Sequence, residues 1–229
     1  MFEQIKRSFF SIASLVLLYS CGIIEKSSMH GFDDGYYKET KTNEKVYVDL
    51  SDENIVVFPI SEGKVSINSK FSFPEVTFGK DLRLNKTSLD IDLTSILLKF
   101  RPNSGDIPSE LTTDFNIAIY AGPRFDKYRI RTVTDPIGNS KYKLSSRGFD
   151  FGLFAGIGTS TIGPFNTKDK VLSEYNGMLI QTGIAGFIET DFASFGVSAG
   201  VDNLTSPDRN KWIYNNKLWV GFIVGIALN

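Results

Sequence analysis

From residue 88 onward, bulky apolar side chains alternate with small or polar ones. The last run is the clearest. Leu218, Val220, Phe222, Val224, Ile226 and Leu228 share one face of an extended chain, and Trp219, Gly221, Ile223, Gly225 and Ala227 share the other. Successive side chains of a strand point to opposite faces, so this two-residue period predicts a strand over 216–228. The same period sets Phe149, Phe151, Leu153, Ala155 and Ile157 against Gly148, Asp150, Gly152, Phe154, Gly156 and Gly158. It sets Phe195, Val197, Ala199 and Val201 against Gly196, Ser198, Gly200 and Asp202, and Phe115, Ile117, Ile119 and Ala121 against Asn116, Ala118, Tyr120 and Gly122. Along 88–101, Leu89, Ile91 and Leu93 oppose Asp90 and Asp92. The phase then moves to Ile96, Leu98 and Phe100 against Lys99 and Arg101, and a bulge near Thr94-Ser95 accounts for the shift.

About eight strands are predicted in this way: 66–78, 88–101, 113–122, 124–132, 147–160, 175–189, 192–202 and 216–228. Turn chemistry separates them, as in Asn85-Lys86, Pro102-Asn103-Ser104-Gly105, Asp135-Pro136-Ile137-Gly138-Asn139, Gly163-Pro164 and Ser206-Pro207-Asp208. The first strand is interrupted by Pro74. No helical period appears after residue 30. The expected fold is all-β: an antiparallel closed β-barrel of about eight strands over 66–229, preceded by a small β-meander over 35–65. The meander is read from Gly35–Lys41, Val46–Leu50 and Ile55–Ile60, separated by polar turns.

The alternation also carries a direction. In a soluble barrel the bulky apolar groups fill the inside, whereas in a membrane barrel they face lipid and the small and polar groups face the lumen. One face here is bulky and uncharged over about the 9–11 residues that a tilted spanning strand needs. The other is rich in Gly, which offers a soluble core no side chain. The transmembrane type is therefore expected, with a soluble barrel or sandwich as the rival. Its lumen face collects Asp90, Asp92, Lys99, Arg101, Asp150 and Asp202. Their mixed signs suggest a plug of ion pairs rather than an open pore. Lys99 and Arg101 are expected to be neutralised by Asp90 and Asp92, with anion binding by the pair as the lesser alternative.

The first thirty residues follow a different rule. Lys6 and Arg7 precede an apolar run, Phe9–Leu18, whose length suits a secretory signal and falls short of a spanning helix. The run ends in Leu18-Tyr19-Ser20-Cys21-Gly22, which resembles the lipobox of bacterial lipoproteins: Leu three positions before a Cys, a small residue just before it, then the Cys. Tyr19 departs from the small residue usual at its position. The resemblance implies a signal peptide over 1–20, cleavage before Cys21, and acylation of its thiol and new amine. Several acyl chains give firm anchoring where one does not. Residues 21–34 read as a polar tether.

Composition narrows the functions. A net charge of −1 excludes a strongly basic nucleic-acid binder. The 19 Phe, 9 Tyr and 20 Gly favour sheet. Cys21 is the only cysteine, so no internal disulfide forms. His30, the only histidine, lies in the tether, which leaves little for a His-based metal site or triad. No phosphate loop or metal-ligand cluster stands out, so no cofactor, no metal and no enzymatic activity are expected.

Residues 88–229 resemble the small eight-stranded outer-membrane barrels of the OmpA type, and a group of lipoprotein or outer-membrane proteins that implies no activity. The likeness rests on Ser88-Leu-Asp-Ile-Asp-Leu-Thr94 with Lys99-Phe-Arg-Pro102, on Glu174-Tyr-Asn-Gly177, on Gly200-Val-Asp-Asn-Leu204, and on Trp212-Ile-Tyr-Asn-Asn216 with Leu218-Trp219. Such barrels commonly end in an aromatic residue read by the insertion machinery. This chain ends Ala227-Leu228-Asn229, so either that signal is internal, at Phe222 or Trp219, or the sheet is soluble. The expected protein is a lipid-anchored component of the bacterial outer membrane with a structural, adhesive or scaffolding role; the alternative is a barrel that binds or carries a small ligand. Its expected partners are membrane lipid and the insertion and lipoprotein-sorting machinery, and nucleic acid is not among them.

Overall fold

The computed structural model describes residues 31–51, 54–61, 63–73, 81–104, 107–189 and 194–227. The expected signal peptide, Cys21, and most of the tether lie outside these residues, as do 74–78 of the first expected strand and Leu228 of the last. The chain divides into two compact units, Met1–Phe32 and Asp33–Asn229. Of the first, only Gly31 and Phe32 are described.

The second unit is built from antiparallel strands: β1 (Gly35–Glu39), β2 (Lys45–Ser51), β3 (Asn54–Ser61), β4 (Lys64–Val65), β5 (Phe71–Phe73), β6 (Asp81–Arg101), β7 (Glu110–Thr112), β8 (Asn116–Thr134), β9 (Ser140–Ile162), β10 (Tyr175–Glu189), β11 (Ser194–Leu204) and β12 (Leu218–Ala227). Among its described residues one α-helix, α1 (Pro164–Thr167), is a single turn between β9 and β10.

β6 pairs with β8, β8 with β9, and so on through β10, β11 and β12. β12 then pairs with β6 again, so that six strands form a ring. Directly paired residues can be followed around it: Ile91 to Ala121, Leu153, Ile184, Ala199, Val220 and finally Phe100. The path re-enters β6 nine residues beyond its start. At about 3.3 Å per residue against about 4.8 Å per strand spacing, that slip inclines the strands by roughly 45°.

The expected count of eight is thus six in this ring. The predicted strands 113–122 and 124–132 are one strand, β8. The predicted division falls at Pro123, yet Pro123 stays in register opposite Leu89. Lacking an N–H, it only opens a gap in the ladder to β9, which resumes unshifted from Ala121–Leu153 to Arg124–Asp150. The described part of the predicted strand 66–78, residues 66–73, is not in the ring. Ile67–Ser69 form a 3₁₀ turn, and β5 pairs with β3.

The bulge in β6 lies at Leu97 rather than Thr94-Ser95. Phe222 faces Leu98 and the next residue, Ile223, faces Ile96. Leu97 and Leu98 both point outward, and Ile96 turns inward into an apolar cluster, against its expected outward place.

β6, β8 and β9 run on past the ring. Their projecting halves form a sheet continued by β1, which pairs with β6 through Lys38–Asn85 and Glu39–Leu84, and then by β2 and β3. Registers place Tyr37, Val46, Val48, Ile55 and Val57 on the same face as Leu84. All of these are buried, as are Leu82, Tyr128 and Ile130. The rings of Tyr37 and Tyr128 meet edge to face at 5.7 Å.

Candidate functional site

The inner face of the ring comes from alternate residues of six strands. Six strands enclose a narrow bore, and glycine makes room in it. A Cβ on Gly183 would sit 2.6 Å from Phe154 Cζ, and one on Gly200 would sit 2.8 Å from Trp219 Cζ2. These absences let Phe154 and Trp219, from opposite strands, pack with ring centroids 5.9 Å apart. Ile96, Ala118, Tyr120, Ala185, Phe187 and Ile223 complete this apolar layer.

On one side of that layer lies a cationic network. Lys99 Nζ donates to Gln181 Oε1 at 2.8 Å and to both oxygens of Asp202 at 3.0 and 3.1 Å. Arg101 Nη2 donates to Asp202 Oδ2 at 2.7 Å. Gln181 is held in turn by its own Nε2, which donates to the Ile157 carbonyl at 3.2 Å. β6 and β10 stand opposite each other in the ring, so these bonds cross the bore. Two cations share one carboxylate, and aromatic faces take up part of the surplus. Lys99 Nζ lies 4.6 Å from the Trp219 ring, and the Arg101 guanidinium lies 5.2 Å from Trp212 and 5.5 Å from Tyr214.

Trp212 and Tyr214 belong to the connection from β11 to β12, which folds across this end of the ring. They pack with Ile162, Leu179 and Leu204. The Tyr175 hydroxyl bonds to Ser206 Oγ at 2.7 Å and donates to Asp208 at 3.1 Å, which holds the same connection down.

On the other side of the apolar layer the inner face is acidic. Asp90, Asp92 and Asp150 are buried there. The Tyr120 hydroxyl donates to Asp150 Oδ1. Arg124 Nε donates to both oxygens of Asp126 at 3.0 Å, and its Nη1 lies 4.0 Å from Asp90 Oδ1.

The six charged residues assigned to the lumen from the alternation are therefore all buried, in two groups. Lys99, Arg101 and Asp202 meet. Asp90, Asp92 and Asp150 lie apart from them, so Lys99 and Arg101 take Asp202, not Asp90 and Asp92, as partner. Sequence reasoning placed Tyr120 on the inner face without its bond to Asp150, and it missed Gln181, Arg124 and Asp126. For the last two a signal existed: carrying the phase of 113–122 through Pro123 puts Arg124 and Asp126 on the lumen face.

The outer face of the ring is the complement. Leu153, Ile184 and Val197 are 68%, 61% and 72% exposed, and none has a charged neighbour in its row. On β8 the apolar stretch runs from Ile117 to Phe125, on β9 from Phe149 to Ile157, on β10 from Met178 to Ile188 and on β12 from Leu218 to Ile226. Three of these cover nine residues and one eleven, and at an inclination of roughly 45° they rise about 20–25 Å, close to the about 25 Å apolar band of membrane barrels. The band ends on both sides. Toward α1 it gives way to Thr159, Thr161, Asn176, Asn203 and Lys217. Toward the projecting sheet it gives way to Lys127 and Arg147.

Comparison with protein families, with curated proteins and with solved structures returns no match.

Proposed function

We propose that the ring is a transmembrane β-barrel of an outer-membrane lipoprotein, anchored additionally through acylated Cys21, with a structural or scaffolding role in the envelope. The observation that carries this reading is the outward apolar belt around an inner face whose buried charges flank one apolar layer. A sheet in water exposes few large apolar patches, because contiguous ones drive association. Here the belt is continuous around six strands, while Asp90, Asp92, Lys99, Arg101, Asp150 and Asp202 are turned inward. Lipid removes the cost of such a belt, and a ring leaves no unpaired edge within it.

The bore supports the proposed role. It is filled by Trp219, Phe154 and the bonded cations, and its α1 end is covered by Trp212 and Tyr214. Such an interior favours a rigid anchor that displays its projecting sheet over a channel or a carrier. Insertion and sorting machinery of the outer membrane are the partners this reading requires.

The test is Leu153→Arg in the full chain. Leu153 lies mid-belt, where an arginine at the bilayer midplane costs about 2–4 kcal/mol. The variant should lose the membrane-integrated form that migrates differently on gels before and after boiling. An exposed Leu153 in a water-soluble sheet would accept Arg without loss, and wild-type behaviour would overturn the membrane assignment. Cys21→Ala separates anchor from ring: it should abolish labelling by a fatty-acid analogue and leave uncut precursor.

A further inference from the structure

Immediately beyond one edge of the belt the outer face turns basic. Register sets Lys38, Asn85, Lys127 and Arg147 side by side across β1, β6, β8 and β9. The next row outward holds Arg83, Arg129 and Ser145, and the one after that Asp81, Arg131 and Lys143. Arg83, Lys127, Arg129, Arg131 and Arg147 border one groove of about 600 Å³. The carboxylate on this face is Asp81, which accepts from Arg129 Nε at 3.0 Å and lies 3.9 Å from Arg83. The face therefore keeps a marked positive surplus.

We propose that these rows hold the phosphates of anionic phospholipid headgroups, in the leaflet on the side of the projecting sheet. The inference rests on the membrane reading of the ring and adds to it a lipid class and a side. Distance supports it. Thr87, Phe125 and Phe149, the first row of the belt, lie two residues from Asn85, Lys127 and Arg147. Two residues of strand rise roughly 7 Å, and less along the membrane normal when the strand is inclined. The headgroup layer on each side of the hydrocarbon is about 5–8 Å deep. Lys127 and Arg147 thus fall within it, and Arg83 and Arg129 at its outer edge.

Chemistry supports it too. Guanidinium groups present a planar fork that matches phosphate oxygens, and Asn85 and Ser145 add neutral donors within the same rows. At the opposite rim the outward strand residues are Thr159, Thr161, Asn176 and Asn203, and the cations Lys168, Lys170, Arg209, Lys211 and Lys217 lie in the connections beyond them rather than in paired rows of strand.

The experiment uses the full chain in neutral detergent, stripped of lipid and titrated with dimyristoylphosphatidylglycerol or dimyristoylphosphatidylcholine, with bound lipids counted by native mass spectrometry. The wild type should retain phosphatidylglycerol at lower concentration than phosphatidylcholine. Lys127→Ser with Arg147→Ser should remove the preference, at about fivefold per cation. Lys64→Ser with Lys170→Ser, which removes two exposed charges away from the groove, should keep it. Equal retention of the two lipids by the wild type, or a preference that survives in the Lys127/Arg147 variant, overturns the proposal and leaves the membrane reading standing. A chain that is monodisperse without detergent and retains neither lipid overturns both. Should the double variant fail to give the heat-modifiable form, the wild type in 0.5 M salt decides, at a Debye length of only about 4 Å: the preference should collapse, and a preference unchanged by salt overturns the proposal.

Discussion

Two halves of the same strands follow opposite rules. In the projecting halves of β6, β8 and β9, the inner face is apolar, with Leu82, Leu84 and Ile130 buried, and the outer face carries Arg83, Lys127, Arg129 and Arg147. Within the ring the pleat continues without a break, yet the faces exchange chemistry. Asp90, Asp92 and Asp150 point inward, and Leu89, Phe151 and Leu153 point outward. The exchange occurs at one level on all three strands: after Thr87 on β6, between Phe125 and Lys127 on β8, and between Arg147 and Phe149 on β9. A strand has no reason of its own to invert there. On the proposed membrane reading a change in the surrounding medium supplies one: water around one half and hydrocarbon around the other.

If the halves are stabilised differently, substitutions should separate them. The largest effect is expected in the bore. Asp202→Ala leaves Lys99 and Arg101 buried without their carboxylate, and losing one partner of a buried ion pair costs about 3–5 kcal/mol. Denaturant unfolding in detergent should register that loss. A cost near zero would mean the bore is wet, and the inner face of the ring would no longer differ in kind from a solvated one.

Leu84→Ala tests the projecting half. Leu84 is fully buried, so truncation removes transfer energy and leaves a cavity, together about 2–5 kcal/mol. Leu153→Ala deletes the same atoms from the belt. If acyl chains fill the space, the loss should stay below about 1 kcal/mol. Equal losses at the two leucines would erase the contrast, since both would then lie in protein cores.

The smallest effect belongs to the tip of the projecting sheet. Asp135 is held below the usual carboxylate range, first by the backbone N–H of Asn139 at 2.9 Å, then by Lys141 and the N–H of Ile137. A depressed folded-state value contributes stability above the unfolded value of about 3.9 and loses it as pH falls through the folded one. The slight gap in melting temperature between wild type and Asp135→Ala at pH 7 should therefore close in the acid range below about pH 4. The ring should not sense it, so the gel shift on boiling should be the same in both proteins at either pH.

Much of the ring was legible because its alternation is local and strong. The strands at 175–189, 192–202 and 216–228 correspond to β10 through β12 with small shifts of their ends, and 147–160 is the ring half of β9, which begins seven residues earlier. The projecting halves were harder. Asn85-Lys86 carries turn chemistry, but there both residues are in mid-strand, with Asn85 paired to Lys38 on one side and Lys127 on the other. The stretch from Ser140 to Ser146 alternates Lys with Tyr and Leu in the ordinary soluble sense, opposite to the pattern that marked the ring. One inversion of polarity along a strand looks, in sequence, like the end of that strand.

The two-residue period alone assigns most side chains of the ring to the inner or the outer face, Ile96 excepted, because it depends only on neighbours in the chain. It placed Asp90, Asp92, Lys99, Arg101, Asp150 and Asp202 on one face. Which of them meet was decided by tertiary structure alone. Lys99 reaches Gln181 and Asp202 because β12 pairs back to β6 and because the stagger around the ring brings those heights together. That stagger accumulates over six registers and a bulge at Leu97, and a shift of one residue in any of them would turn a different side chain toward the bore.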